Sequence, residues 1–500
     1  MSDERKDMKV PPGGFSNFRD KLEVEGRVGA LPRRGRRGPS EPPERHPAGD
    51  RPNVLWLMAD QLRGDTLGCA GHPVVKTPNI DRLASEGAIF TNTFCAAPVC
   101  VPSRASMLTG RHLFGHGAVS NRHRMRGGQV RFPELVRGAG WRTANVGKHH
   151  AGCSSQEVWE EQITVEDRFG ATKPSSVPFD PKNFPGVTFI ANEVCDNANR
   201  ILHGKYPARV NLTKSFILSS QGIDWLRWND DPRPFFLRVS YDDPHPPIIP
   251  PEPFHSMYGP EDVPEGIWSE QDASIRSKPA TVADWRRYQH QDGISLEDHR
   301  KHAAAYFGLV SHLDAQIGRV LEYLDETGLA ENTIVILNSD HGHMIGEHGL
   351  AHKGPYCYEG TLHIPTIIRW PGHIEPGTRV DALTHGVDLM PTVMDLLDLE
   401  APDGLHGRSL APLLAGDGEE REYVFSQWED YVFCVRGRRW KLTWYESDQT
   451  GELYDLEADP YEKENLYGEE DHREVREELM GVLRDWRDQY ARREELPGVE

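Results

Sequence analysis

Val99-Cys100-Val101-Pro102-Ser103-Arg104-Ala105-Ser106-Met107-Leu108-Thr109-Gly110 is the stretch on which the reading of the chain turns. Pro102 suits the first turn of a helix, where a backbone N–H would have had no partner. Residues 103–108 continue that helix and Gly110 stops it. Cys100 is therefore expected just before a helix N-terminus, where the macrodipole favours a negative or polarised group. Arg104 follows one turn later, close enough to touch both the residue-100 side chain and an anion beside it. A lone cysteine in such a place is usually an inert core residue.

Outward from this stretch, apolar runs alternate with helical periods, the pattern of an α/β sandwich. Asn53–Ala59 is apolar almost throughout, as a strand buried on both faces must be. It delivers Asp60 and Gln61 to its carboxyl end, where open α/β sheets place ligands. A carboxylate and an amide oxygen are hard donors suited to Ca²⁺. Ile89–Asn92 reads as a short strand entering the central stretch, and Trp141–Val146 as a strand ending in Gly147-Lys148-His149-His150. Phe235–Tyr241 is a buried strand followed by Asp242-Asp243-Pro244-His245-Pro246-Pro247, whose prolines hold an extended loop. The period over His302–Thr327 puts Leu309, Leu313, Ile317, Val320, Leu321 and Leu324 on one helix face. Thr333–Leu337 is a β-branched strand that feeds Asn338-Ser339-Asp340-His341-Gly342-His343.

Further on, Ile364–Trp370 reads as a strand and Leu389–Leu397 as a helix. Tyr431–Val435 and Trp440–Trp444 form a hairpin, 452–456 another strand, and 472–494 a charged amphipathic helix. The fold class is thus α/β: a mostly parallel central sheet sandwiched by helices, with a smaller C-terminal antiparallel sheet plus helix. Residues 1–50 form a disordered tail, 51–415 a catalytic domain and 416–500 an α+β subdomain.

The combination Cys-x-Pro-Ser-Arg with Leu-Thr-Gly at this offset resembles the signature of the type I sulfatases, within the alkaline-phosphatase-like superfamily, and the likeness extends over residues 52–466. It implies the same sandwich fold. It further implies that Cys100 is oxidised to formylglycine by a formylglycine-generating enzyme, a transient partner. The modified residue would present oxygen, not sulfur, as nucleophile and metal ligand. Asp60, Gln61, Asp340 and His341 would complete a site for one divalent cation. Ca²⁺ is expected first; the His341 nitrogen brings Mn²⁺ into consideration, and Mg²⁺ is a further alternative. Lys148, His150, His245 and Lys353 match the family's anion- and substrate-contacting positions, and Arg104 its companion to residue 100. Lys148 and Lys353 would hold the sulfate oxygens, His150 would hydrogen-bond the nucleophile, and His245 or Lys353 would protonate the departing oxygen.

The implied reaction is hydrolysis of an organic sulfate monoester, of a small molecule or a sugar. Gln61 and His341 also fit a phosphonate or phosphate ester hydrolase on the same scaffold. A non-catalytic binder of sulfated sugars is the remaining alternative, and the filled chemical positions argue against it. Four histidines in 341–352 suggest a zinc cluster, but their spacings fit no closed tetrahedral set.

Composition narrows the rest. Hydrophobic content of 37% and charged content of 27% suit a globular enzyme. A net charge of −20 makes nucleic-acid or anionic-membrane partners unexpected, so an anion site must be a local basic pocket. The seven cysteines are scattered and odd in number, which fits reduced thiols, and no apolar leader is evident; a cytoplasmic location is expected. The oligomeric state is left open.

Overall fold

The computed structural model describes residues 51–164, 188–189, 201–264 and 278–492; the expected tail 1–50 lies outside them. Strand β1, Asn53–Asp60, is buried along its whole length. Val54, Trp56 and Met58 enter one apolar core, together with Met107, Leu108 and Phe132. The alternating residues Leu55, Leu57 and Ala59 enter the other, together with Leu309, Leu313 and Ile317. Two cores on opposite faces are why this segment is apolar at both parities.

Seven more strands complete the sheet: β2 Ala88–Phe94, β3 Arg142–Gly147, β4 Glu161–Ile163, β5 Phe235–Pro244, β6 Thr333–Ser339, β7 His363–Arg369 and β8 Thr378–His385. Their spatial order is β8-β2-β7-β6-β1-β5-β3-β4. Only β7 is reversed, pairing antiparallel with β2 and β6; all the other pairings are parallel. Helix α1 spans Cys100–Thr109, α2 Phe132–Gly138, α3 Lys214–Arg227, α4 Leu296–Glu326 and α5 Leu389–Leu396. α1, α2 and α5 contribute to the first core and α3 and α4 to the second. The expected apolar face of α4 is wholly buried, from Leu309 to Leu324.

α1 starts one position earlier than the sequence suggests. Val99 is its extended N-cap, so Cys100 is the first helical residue instead of the residue before the helix. Gly110 ends it in the left-handed region, at φ 64°, with its N–H bonded to the Ser106 carbonyl at 2.9 Å.

The small sheet has four antiparallel strands in chain order: β9 Val424–Trp428, β10 Val432–Arg436, β11 Trp440–Tyr445 and β12 Thr450–Asp455. Helix α6, Arg473–Arg492, lays Leu479, Leu483 and Trp486 on Phe433, Val435, Leu442 and Leu453. The expected hairpin is its centre; β9, like the edge strands β4 and β8, was not foreseen. β9 also ties the small sheet to the approach to α1, through Gln427 N–H to the Ala96 carbonyl at 3.0 Å. No described helix is long and apolar enough to cross a membrane.

Gly147 ends β3 at φ 98°, and a Cβ there would drive into the Ser240 carbonyl oxygen of β5. Gly147→Ala should therefore cost about 1–3 kcal/mol, read from denaturant-unfolding midpoints. Gly138→Ala, at an open helical position with nothing within 4 Å of the added carbon, should instead be neutral or stabilise by about 0.4–1 kcal/mol. Equal behaviour of the two variants would contradict this account.

Candidate active site

Adjacent parallel strands in the order β6-β1-β5-β3 place their carboxyl ends side by side. β6 delivers Asp340 and His341, β1 delivers Asp60 and Gln61, β5 leads to His245, and β3 leads to Lys148 and His150. β2, running the same way, leads through residues 95–99 to Cys100 at the head of α1. One edge of the sheet thus gathers side chains that lie hundreds of positions apart in sequence.

Ligand-type atoms of Asp60, Cys100, Asp340 and His341 lie within 4.8 Å of one another, and all four residues are buried. Cys100 Sγ is 3.3 Å from His341 Nε2 and 3.7 Å from Asp60 Oδ1. His341 Nδ1 donates to the Gly342 carbonyl at 2.9 Å, which turns Nε2 toward the site. Gln61 leaves β1 at φ 70°. Its N–H bonds Asp340 Oδ1 at 3.0 Å and its carbonyl accepts from Tyr306 Oη at 2.8 Å, which hold the backbone in this left-handed conformation. Gln61 Oε1 accepts from Lys353 Nζ at 2.7 Å. Lys353 Nζ is also 3.2 Å from Cys100 Sγ and 3.3 Å from His341 Nε2.

Arg104 is fully buried and bridges the two carboxylates: Nη2 to Asp60 Oδ2 at 3.0 Å and Nε to Asp340 Oδ2 at 2.7 Å. Its Nη1 is directed to Ser240 Oγ and the Lys148 carbonyl. The hydrogen-bonded partners of Arg104 are thus the carboxylates, Ser240 and a backbone carbonyl, where the sequence suggested residue 100 and an anion. Lys148 Nζ pairs with Asp60 Oδ2 and lies 3.7 Å from Cys100 Sγ. His150 and His245 adjoin the Cys100 side chain, His150 closely enough to act on its charge and His245 closely enough to have its own charge acted on. His245 Nδ1–H donates to the Pro246 carbonyl at 2.7 Å, which anchors the ring.

Charge sets the protonation states. Burial alone would raise the Cys100 thiol, but Lys148, Lys353, His341 and His150 outweigh it and bring the thiol well below its ordinary range. Burial and Cys100 push Asp60 up, while Lys148, His245 and Arg104 pull it further down, below the usual carboxylate range. Burial opposes the charge on Lys148, yet Asp60 and Cys100 hold it above the ordinary lysine value. Burial, and then Lys353, push His245 below the ordinary histidine value.

Every candidate residue read from the sequence converges here: Asp60, Gln61, Cys100, Arg104, Lys148, His150, His245, Asp340, His341 and Lys353. The clustered histidines disperse. His341 joins this site, His343 and His352 meet His302 beside Gln61, and His348 stacks on Tyr358 with centroids 4.0 Å apart. Three supporting hydroxyls were missed. Ser103 Oγ bonds the Asp340 carbonyl, Ser240 Oγ the Arg104 guanidinium and Tyr306 Oη the Gln61 carbonyl. Ser103 stands inside the signature and Ser240 at a strand end, so position was the available signal. The donor set fits a divalent cation: Asp60 Oδ1, Asp340 Oδ1, Gln61 Oε1 and His341 Nε2 converge, and the Cys100 sulfur stands where a modified residue 100 would carry oxygen.

The family model described as Sulfatase matches residues 52–399, and that described as N-sulphoglucosamine sulphohydrolase, C-terminal, matches residues 346–489. An arylsulfatase of Clostridium perfringens is 31% identical over 471 residues, covering 87% of this chain and 94% of its own. An N-acetylglucosamine-6-O-sulfatase of Bacteroides thetaiotaomicron is 27% identical over 509 residues, covering 88% and 87%. Among solved structures, the phosphonate monoester hydrolase of Agrobacterium radiobacter superposes with a TM-score of 0.73 at 24% identity, over 88% of this chain and 96% of that one. It shares the fold.

Removing the Arg104 guanidinium leaves two buried carboxylates facing each other. Arg104→Ala should therefore cost about 3–5 kcal/mol in urea unfolding, and Arg104→Lys less, since it keeps the charge but loses the fork. An Arg104→Ala midpoint equal to wild type would remove the clamp role.

Proposed function

The chain belongs to the sulfatase family, and on that premise we propose that it hydrolyses an organic sulfate monoester to an alcohol and inorganic sulfate. The observation that carries the proposal is the position of Cys100. It heads α1 with Asp60, Asp340 and His341 within ligand distance, and with Lys148 and Lys353 beside its sulfur. Cys100 is converted to formylglycine by a formylglycine-generating enzyme. In its hydrated form that group supplies an oxygen nucleophile with a second hydroxyl from which the aldehyde is regenerated when sulfate leaves. The ligands of one divalent cation are Asp60, Gln61, Asp340, His341 and the residue-100 oxygen, with Ca²⁺ the first expectation and Mg²⁺ or Mn²⁺ the alternatives; the cation supplies Lewis acidity and charge neutralisation.

The chain's own side chains do the rest. Lys148 and Lys353 hold the sulfate oxygens against the nucleophile. Arg104 keeps Asp60 and Asp340 in fixed directions. His150 accepts a proton from residue 100, and His245 delivers one to the departing oxygen through Nε2, its Nδ1–H being tied to Pro246. Aryl and sugar sulfates are the first substrates to screen, in line with the names of the relatives. A second reading, phosphonate or phosphate ester hydrolysis, draws on the Gln61 and His341 pair.

Relative turnover of an aryl sulfate and an aryl phosphonate decides between the two readings. Peptide mass spectrometry of active protein should show residue 100 as formylglycine; active protein with only the thiol would sink the mechanism. Lys148→Ala and Lys353→Ala should each slow turnover by about 100–1000-fold for good and poor leaving groups alike.

His245 adds a pH prediction. Its charged form is the proton donor, and its pKa in the free protein lies below the ordinary value of 6.5. The donor form is therefore lost as pH rises through that lowered pKa. For poor leaving groups kcat/KM should fall on an alkaline limb with a midpoint below 6.5. His245→Ala should lose that limb, and an activated aryl ester should not show it. A limb that survives unchanged in His245→Ala would remove the acid role from His245.

A further inference from the structure

A second group of histidines adjoins the site without entering it. His302 from α4, with His343 and His352 from the segment after β6, bring ring nitrogens within 4.8 Å of one another. His302 and His343 are fully buried, and His343 stacks on Tyr306 with centroids 4.8 Å apart. Burial of this kind favours neutral imidazoles, each with one N–H and one lone pair.

The proton positions follow from one fixed end. His302 Nδ1 is 2.5 Å from the Leu202 carbonyl oxygen, which can only accept, so the proton is on Nδ1. His302 Nε2 is then a lone pair, and it faces His343 Nε2 at 3.0 Å, so that second proton belongs to His343 Nε2. His343 Nδ1 is left as an acceptor, and it meets the Gln61 side-chain nitrogen, which can only donate. The Gln61 oxygen is thereby turned the other way, to within 2.7 Å of Lys353 Nζ at the cation site.

We propose that His302 and His343 are positioning residues that fix the orientation of the Gln61 amide, keeping its oxygen toward the divalent cation although neither histidine touches that cation. The inference rests on the cation site proposed above. It answers a need specific to glutamine. A carboxylate offers oxygen whichever way it turns, whereas a flipped amide presents N–H groups to the cation. The Gln61 backbone is locked by Asp340 and Tyr306, but those contacts leave the terminal amide free to rotate; Lys353 holds its oxygen from the site side, and His343 receives its N–H on the other. Binding of a separate metal by the three histidines would use the same atoms differently. It would need lone pairs on both facing Nε2 atoms, would shift the His343 proton to Nδ1, and would turn the Gln61 oxygen away from the active site.

The test is calorimetric titration of chelator-stripped full-length protein with Ca²⁺, Mn²⁺ and Zn²⁺, with thermal unfolding as a check on folding. Wild type should take up one equivalent of Ca²⁺ or Mn²⁺; no uptake would overturn the cation site itself, separately from this inference. His343→Phe and His302→Phe should each weaken that uptake by about 10–100-fold, the usual effect of removing an outer hydrogen bond to a ligand. His343→Asn, whose Oδ1 can replace Nδ1 as acceptor, should stay within about threefold of wild type. Unchanged affinity in the folded Phe variants would overturn the proposal. So would a second equivalent of Zn²⁺ in wild type that disappears in His352→Ala. Should the Phe variants not fold, long-range ¹H–¹⁵N correlations on histidine-labelled wild type read the tautomers directly. His302 Nδ1–H with His343 Nε2–H supports the proposal, and any other pairing overturns it.

Discussion

Two carboxylates buried at the ends of neighbouring strands cannot both stay ionised without a partner, and Arg104 is that partner. Asp60 closes β1 and Asp340 follows β6, with no exposure at either side chain. A guanidinium suits the gap because its planar fork reaches both acids from one stem and stays charged when buried. The spacing in the signature follows from this. Cys100 is the first residue of α1 and Arg104 comes four residues later, so one helical turn puts both on the same face. A single short helix therefore positions the residue-100 side chain and clamps the acids beside it.

The sheet supplies the rest of the geometry. Parallel neighbours send their carboxyl ends to one edge, but the chain must leave that edge abruptly to keep functional side chains within a few ångströms. Gly147 and Gln61 make those exits, both in the left-handed region. Glycine does so without steric cost. Gln61 does so under the hold of Asp340 and Tyr306, strain of the kind that a functional position tolerates when its surroundings fix it. The charge balance is local too. Two acids face the three cations Arg104, Lys148 and Lys353, inside a chain whose net charge is −20. An anionic ester is attracted by this pocket and not by the surface.

The central strands, the long helix and all ten candidate residues were legible because their signals are local. β1 is apolar at both parities, α4 has a sustained helical period, and each acid–donor pair follows a strand directly. What escaped notice depends on tertiary partners. β4 and β8 are edge strands, half exposed and without a continuous apolar run, and β9 gains its place by bonding to the approach to α1. Cys100 entered the helix because Val99, not Cys100, is the extended cap. The links from Ser240 to Arg104 and from Tyr306 to Gln61 are invisible in sequence, since a hydroxyl in a strand or helix has many uses and only folding selects one.

In the proposed ligand set Asp60 and Asp340 supply carboxylates, while Gln61 supplies an amide oxygen and His341 a ring nitrogen. A divalent cation at the proposed site would balance the two acids and release Lys148 from Asp60 toward the ester. Carboxylates at 61 and 341 would add two more negative charges for Lys148 and Lys353 to neutralise. Neutral donors bring a different demand, because an amide or an imidazole must be turned the right way to offer a lone pair. Both are turned by backbone carbonyls. His341 gives its Nδ1 proton to Gly342, so Nε2 faces the site. Gln61 reaches the Leu202 carbonyl through His343 and His302, so its oxygen faces the site. A backbone carbonyl can only accept, and it makes the direction of each of these ligands a property of the fold.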